Sequence, residues 1–256
     1  MSPFEGKITV DYSMKNNDPL SLNNTKNRYN NIKEIWPDSD LWHKYTHSCI
    51  EKFINDASKN YLKNRKSILN LGSGGNNHCF NENNVMHVDI AEDKIKACKN
   101  YLVSDIQKIN INNRKFDVIL CVGSVVNYCD PSLVIKEAKR LCNKNGIFIL
   151  EFESSRSFEF LFSKYYAQSA TVVSSFYQNE EEKIWVYSES YINNILKENN
   201  FNILNKTYFH ILTPLIYFFT KKSNFSSKFS KVDNIAKHIP FIRKYACNII
   251  LLASSV

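Results

Sequence analysis

Ser67-Ile68-Leu69-Asn70-Leu71-Gly72-Ser73-Gly74-Gly75 is the stretch on which the fold turns. Three of the chain's six glycines fall between positions 72 and 75, directly after a short apolar run. Glycine takes positive φ at no steric cost and lets backbone approach a ligand closely. A strand that feeds such a turn is how an open parallel sheet presents its main chain to a nucleotide-type cofactor. Seventeen residues after Gly72, the run Val85-Met86-His87-Val88 ends in Asp89, where a second parallel strand offers a carboxylate to a ribose diol. A dinucleotide fingerprint, G-x-G-x-x-G, needs glycine where Asn77 stands, which argues against NAD.

Outward from this stretch, residues 67–152 alternate short apolar runs with polar or amphipathic segments, the pattern of βαβ units. Strands are expected at Ser67–Leu71, Val85–Asp89, Tyr101–Ser104, Phe116–Val122 and Gly146–Phe152. Asp130-Pro131 starts a helix, with Asp as N-cap and Pro at the first helical position, and the helix stops before Asn145-Gly146. Residues 154–187 are rich in aromatics and serines without a clear repeat, and read as an insertion over one end of the sheet rather than a strand pair. Ser188-Glu189 caps a further helix, and Phe201–His210 and Cys247–Ala253 read as the sixth and seventh strands. The expected fold is α/β: one Rossmann-like sheet of seven strands, mostly parallel with an antiparallel last strand, and helices on both faces. Residues 1–66 read as a polar leader and a helical cap with Trp36, Leu41, Trp42, Tyr45, Cys49, Ile50 and Phe53 on its apolar side. Residues 67–256 form the main domain, with the aromatic insertion at 154–187 and an excursion at 211–246.

At 256 residues the chain suits one domain with a sizeable core, and 43% hydrophobic residues make it globular. No apolar run reaches the roughly 18 residues of a membrane span, and the start lacks a signal-peptide layout. Seven scattered cysteines with no C-x-x-C pair point to reduced thiols in a cytoplasm rather than to zinc or disulfides. His43 and His47 are i,i+4 but lack the H-E-x-x-H glutamate and a third ligand, so no metal is expected. The net charge of +8 admits an anionic partner, or reflects only a Lys-rich composition.

These residues resemble the class I S-adenosylmethionine-dependent methyltransferases, well over about 67–152 and loosely over the two late strands. Asn70-Leu71-Gly72-Ser73-Gly74 matches the family's loop under the methionine part and ribose. Asp89 matches its ribose-binding acid, with Ile90 beside it against the adenine. Asp105, in Ser104-Asp105-Ile106, matches the acid that meets the adenine amino group. Phe116–Cys121 followed by Val122-Gly123-Ser124-Val125-Val126-Asn127-Tyr128 aligns with the segment lining the methyl-transfer site. The resemblance thus implies a cofactor site of Asn70, Gly72, Ser73, Gly74, Asp89, Ile90, Asp105, Ile106, Cys121 and Val122. Three departures stand out. Asn70 replaces a frequent acid, only thirteen residues separate the first two strands, leaving the intervening helix short or missing, and Asn127 stands where many small-molecule members carry histidine. Asparagine cannot serve as a general base.

The resemblance implies methyl transfer to an oxygen or nitrogen of a small molecule, such as a sugar, lipid-linked or natural-product acceptor. In-line displacement at an activated donor draws much of its catalysis from near-attack geometry, so a strong base is dispensable. Asn127, Glu153 and Tyr177 are the candidate catalytic residues, with Glu151 as an alternative carboxylate. The insertion's aromatics can shield an acceptor cavity. The charge keeps a nucleic-acid methyltransferase in view, although Val122-Gly123-Ser124-Val125 is not the Asn/Asp-Pro-Pro-Tyr/Phe segment of base-methylating enzymes. A non-catalytic cofactor-binding protein is the other alternative. Basic and large apolar residues mixed through 211–246 suit peripheral contact with an anionic membrane, or a solvated helical excursion.

Overall fold

The structure is a computed structural model that describes residues 22–177 and 180–256, the side chains of residues 176, 177 and 180 excepted. The expected leader over 1–21 lies outside the described residues. Helices α1 (Leu22–Asn31) and α2 (Leu41–Asn60) precede strands β1 (Ile68–Leu71), β2 (Val85–Asp89), β3 (Tyr101–Val103), β4 (Phe116–Cys121) and β5 (Cys142–Glu153). Between β2 and β3 lies the single turn α3 (Glu92–Ile95), and between β4 and β5 the helix α4 (Pro131–Leu141). Asp130 caps α4 by accepting from Ser132 N, with Pro131 at its first position, as its sequence predicts.

One sheet runs β3-β2-β1-β4-β5-β9-β8, where β8 is Phe201–Phe209 and β9 is Asn248–Ser255. The first five strands pair in parallel, and β9 is antiparallel to both β5 and β8. Alternation along the strands splits the core in two. Leu69, Leu71, Ile119, Cys121, Phe148 and Leu150 face α4 and the helix α5 (Glu189–Glu198). Ile68, Val118, Leu120, Ile147 and Ile149 face Ile50, Phe53, Ile54 and Ala57 of α2 on the other side. Helix α2, in the segment expected as an amino-terminal cap, thus packs on this sheet face through Ile50, Phe53, Ile54 and Ala57. Between β1 and β2 there is no α-helix, only the 3-10 turn Glu82–Asn84, in keeping with the short spacing.

The insertion differs from its sequence reading. Ala170–Tyr177 (β6) and Glu180–Tyr187 (β7) form a regular antiparallel ladder of eight residue pairs. Val173, Ile184 and Val186 are buried on one face, but Val172 and Trp185 put apolar groups on the other. Apolar residues on both faces erase the period-two alternation by which a strand pair is read. Residues 211–246 hold four short helices, α6 (Thr213–Thr220), α7 (Ser223–Ser227), α8 (Ser230–Ala236) and α9 (Pro240–Arg243). His210 joins this excursion to α2: Nε2 meets Thr46 Oγ1 at 2.9 Å, Nδ1 meets Thr213 Oγ1 at 3.0 Å, and the ring stacks on Trp42 at 4.0 Å. Complete burial lowers its pKa to about 3, so it stays neutral.

Candidate active site

A cavity of about 140 Å³ opens at the carboxyl ends of the parallel strands, around the point between β1 and β4 where strand order reverses. Its floor is the glycine loop. Gly72, Gly74 and Gly75 have φ of +62°, +52° and +84°. A Cβ on Gly72 would lie 2.3 Å from Val125 Cγ1, and one on Gly74 2.3 Å from Ile35 Cδ1, both side chains of the cavity wall. Any side chain at either position would fill the cradle.

With no helix after it, the loop is held by side chains. Asn70 Nδ2 donates to Asn76 O at 2.7 Å, a bond an aspartate could not make, which gives this chain a use for Asn70 in place of the family's acid. The buried His87 ring meets Ser73 Oγ and Asn77 Oδ1, each at 3.0 Å. Glu51 on α2 accepts from His78 Nδ1 at 2.6 Å. Burial opposes its charge, but the hydrogen bonds of His47 and His78 outweigh it and hold the carboxyl at about 2.

Asp89 ends β2 with Oδ2 accepting from Gly74 N and Oδ1 from Ala91 N, both at 2.9 Å. Burial raises its pKa against these backbone donors, and each oxygen keeps a lone pair for a ligand hydroxyl. Asp105 follows β3 and is oriented by Gln107, whose N donates to its Oδ1 at 2.9 Å. Ile90 and Ile106 give the same end of the cavity apolar walls.

Beyond β4 the wall changes character. Glu153 and Asn248 are direct cross-strand partners on β5 and β9, and both line the cavity. Asn248 Nδ2 donates to Glu151 Oε1 at 2.7 Å, while Glu151 Oε2 accepts from Ser124 N at 2.5 Å. That fixes the amide, and the buried Asn248 Oδ1 has no hydrogen-bond partner among the described residues. Burial, with the neighbouring charges of Glu159 and Glu151, pushes Glu153 up to about 8. Three strand spacings separate β2 from β5, so this end lies roughly 14 Å across the sheet from Asp89.

The roof comes from the amino-terminal segment and the hairpin. Tyr29, Ile35, Trp36, Trp42, His43 and Thr46 line it, with Ser175 and Glu182 from the facing strands β6 and β7. Arg28 Nη1 meets Glu182 Oε2 at 2.8 Å, Tyr128 OH donates to the same oxygen at 2.7 Å, and Tyr29 OH donates to Tyr128 OH at 3.0 Å. Lys94 Nζ also donates to Ile32 O, tying the segment down beside the glycine loop. In the sequence Trp36 and Trp42 read only as an apolar helix side. Nothing in the chain's local pattern marks Arg28, Tyr29 or Glu182 as partners across such separations.

Of the residues singled out from sequence, Asn70, Gly72, Ser73, Gly74, Asp89, Ile90, Asp105, Ile106, Val122 and Glu153 meet around this one cavity. Cys121 does not: it points to the opposite sheet face from Val122 and is fully buried in the α4/α5 core. Asn127 is also absent from the wall. Its Nδ2 donates to Trp185 O at 2.5 Å and its Oδ1 accepts from Glu153 N at 3.1 Å, so both amide atoms are committed to joining β5 and β7. Glu151 is fully buried and serves Asn248 and Ser124. Tyr177 ends β6, and its side chain lies outside the described residues. Among the described residues no three metal-ligating side chains gather.

Residues 69–150 match the family model described as methyltransferase domain. No curated protein matches the chain. Among solved structures, an S-adenosylmethionine-dependent methyltransferase from Clostridium acetobutylicum superposes with a TM-score of 0.54 at 19% identity, over 91% of this chain and 98% of that one. Magnesium protoporphyrin IX methyltransferase from Synechocystis, solved with bound S-adenosylmethionine, gives 0.54 at 14% identity over 93% and 98%. The glycopeptide N-methyltransferase MtfA, solved with S-adenosylhomocysteine, gives 0.52 at 10% identity over 80% and 89%. At these identities the likeness is one of fold.

S-adenosylmethionine suits the donor set. Two carboxylates can accept from hydroxyl and amino groups, two isoleucines can flank a flat ring, and a side-chain-free turn admits close backbone approach. Residues 69–150 thus match a methyltransferase domain, and they lie within a fold shared with S-adenosylmethionine-dependent methyltransferases.

Proposed function

We propose that the protein transfers a methyl group from S-adenosylmethionine to an oxygen or nitrogen of a small-molecule acceptor. In this reading Asp89 takes the ribose hydroxyls, Asp105 the adenine amino group, and Ile90 and Ile106 the faces of the ring. The turn Gly72-Ser73-Gly74 and Asn70 run beneath the methionine part, and Val122 closes the β4 side. When bound, the cofactor supplies a methyl group already activated by a sulfonium charge, so positioning the acceptor does much of the work.

The observation that carries the acceptor side is the pair Glu153 and Asn248 on the cavity wall. Asn248 Oδ1 offers a fixed acceptor for an acceptor-molecule O–H or N–H. A carboxyl with a pKa of about 8 is poised near neutral pH, where a group that takes up a proton works best. Glu153 is the residue that would remove the proton released as the new bond forms. Two of the structural neighbours are named for a porphyrin and a glycopeptide, which supports a small-molecule acceptor over a nucleic acid. All seven cysteines stand free, which suits the reducing cytoplasm in which we place the reaction.

The test is release of S-adenosylhomocysteine from a panel of hydroxyl and amine acceptors by the wild type and by Glu153→Gln. Expected is turnover with at least one acceptor, lost about a hundredfold or more in Glu153→Gln, while cofactor affinity holds within about threefold, or 0.7 kcal/mol. Equal turnover by the two proteins would remove Glu153 from the chemistry. Tight cofactor binding with no release on any oxygen or nitrogen acceptor would favour a non-catalytic role.

A further inference from the structure

The excursion between β8 and β9 has two properties that a solvated set of helices does not need. The first is exposed large apolar surface. Phe219, Ile235 and Phe241 are 76%, 68% and 75% exposed, and Phe225, Phe229 and Val232 add to them. Phe162, 93% exposed, stands just beyond the turn Phe158–Phe160 that packs on α6. The second is charge of one sign. Residues 211–246 contain six lysines and one arginine against a single acid, Asp233. Asp233 is only 1% exposed and is consumed internally, accepting from Ile211 N and Leu212 N at 3.0 and 2.8 Å. The outer surface of α6–α9 therefore presents cations and bare hydrophobic side chains with no carboxylate among them.

We infer that helices α6–α9 dock the protein on an anionic lipid surface. Short amphipathic helices with lysines beside aromatic residues are built to lie in the headgroup layer, with the rings inserted and the ammonium groups at the phosphates. Lys221 Nζ already lies 5.6 and 5.0 Å from the ring centres of Tyr217 and Phe218. Exposed Ile235 and Val232 favour lipid over single-stranded nucleic acid, whose bases stack on rings and gain nothing from aliphatic side chains. No helix among the described residues is long and apolar enough to cross a membrane, so the contact is peripheral. The docking face is also wired to the cavity roof. Asn224 of α7 accepts from Leu41 N at 3.0 Å, and Thr213 reaches the roof residue Thr46 through His210. A protein seated this way would hold the cavity roof close to the lipid surface.

The test is co-sedimentation of the full-length protein with vesicles of phosphatidylcholine alone and with phosphatidylserine added to about 30%, across a salt series. Expected is binding to the anionic vesicles only, weakening steeply with salt. Lys221→Glu/Lys222→Glu and Phe219→Ser/Phe241→Ser should each lower vesicle affinity by an order of magnitude or more, since each lysine near an anionic surface is worth about fivefold. Both double variants should bind S-adenosylmethionine as the wild type does, which certifies their fold and separates this outcome from failure of the methyltransferase reading. No vesicle binding at low salt, binding indifferent to both double variants, or salt-sensitive binding to single-stranded RNA without vesicle binding would overturn the inference. So would sedimentation of the free protein as an oligomer that the Phe219→Ser/Phe241→Ser pair dissolves, because the apolar face would then be covered by a second copy.

Discussion

Replacing Glu153 with glutamine should change how stability depends on pH more than it changes stability itself. In the folded protein burial pushes the carboxyl up to about 8, against 4.5 for an ordinary glutamate. Between those values the native state holds a proton that the unfolded chain has lost. Stability linked to Glu153 is therefore fully present below about pH 4.5 and is lost as pH rises through about 8. The interval spans 3.5 pH units at about 1.4 kcal/mol each, which sets a ceiling of about 5 kcal/mol. Water at the cavity mouth and local relaxation lower it, and a difference of about 2–3 kcal/mol between pH 5 and pH 8 is the working expectation. A glutamine side chain is close in shape to the protonated acid and cannot titrate. Urea unfolding at half-unit pH steps should then show the two proteins nearly equal at pH 5, with the variant pulling ahead toward pH 8. Parallel stability curves across that range would refute a proton-bearing Glu153 and, with it, the reason for assigning Glu153 the acceptor's proton.

Gly72→Val combines a β-branched side chain at positive φ with a contact near 2.3 Å to Val125, so calorimetry should find cofactor binding abolished; normal affinity in a folded variant would make the loop a mere turn. Asn127→Ala removes both ends of the bridge between β5 and β7, and should cost about 2–4 kcal/mol in urea unfolding while cofactor affinity survives. Asn248→Ala should raise the acceptor KM at least tenfold and leave cofactor affinity within about threefold, as expected of a residue that faces the acceptor rather than the cofactor.

The centre of the sheet was legible because β1, β2 and β4 are short apolar runs bounded by turn residues, and because Asp130-Pro131 and Ser188 are local helix starts. The cofactor end was legible for the same reason. Gly72, Asp89 and Asp105 each lie at or just past a strand's carboxyl end, so their place at the sheet edge comes with the strand. Cys121 and Val122 show the limit: a one-residue step off the end of β4 reverses the facing, and the cavity side was not separable from the core side by spacing alone. The acceptor end was far less legible. Glu153 was visible as a carboxylate at a strand end, but its partner Asn248 lies 95 positions away and meets it only through antiparallel pairing of β9. Asn127 looked like a site residue because its strand leads to the site, yet the hairpin it holds in place could not be read from a sequence with apolar residues on both faces.

The most direct measurement is isothermal titration of S-adenosylmethionine into the wild type and into Asp89→Ala, with circular dichroism to establish that the variant is folded. Asp89 sits at the end of β2 with its carboxylate already set by Gly74 and Ala91. Saturable binding to the wild type and a loss of at least a hundredfold in the variant, about 2.7 kcal/mol, is the expected result. No binding to the wild type, or equal affinity in a folded Asp89→Ala protein, would contradict the assignment of this cavity to the methyl donor.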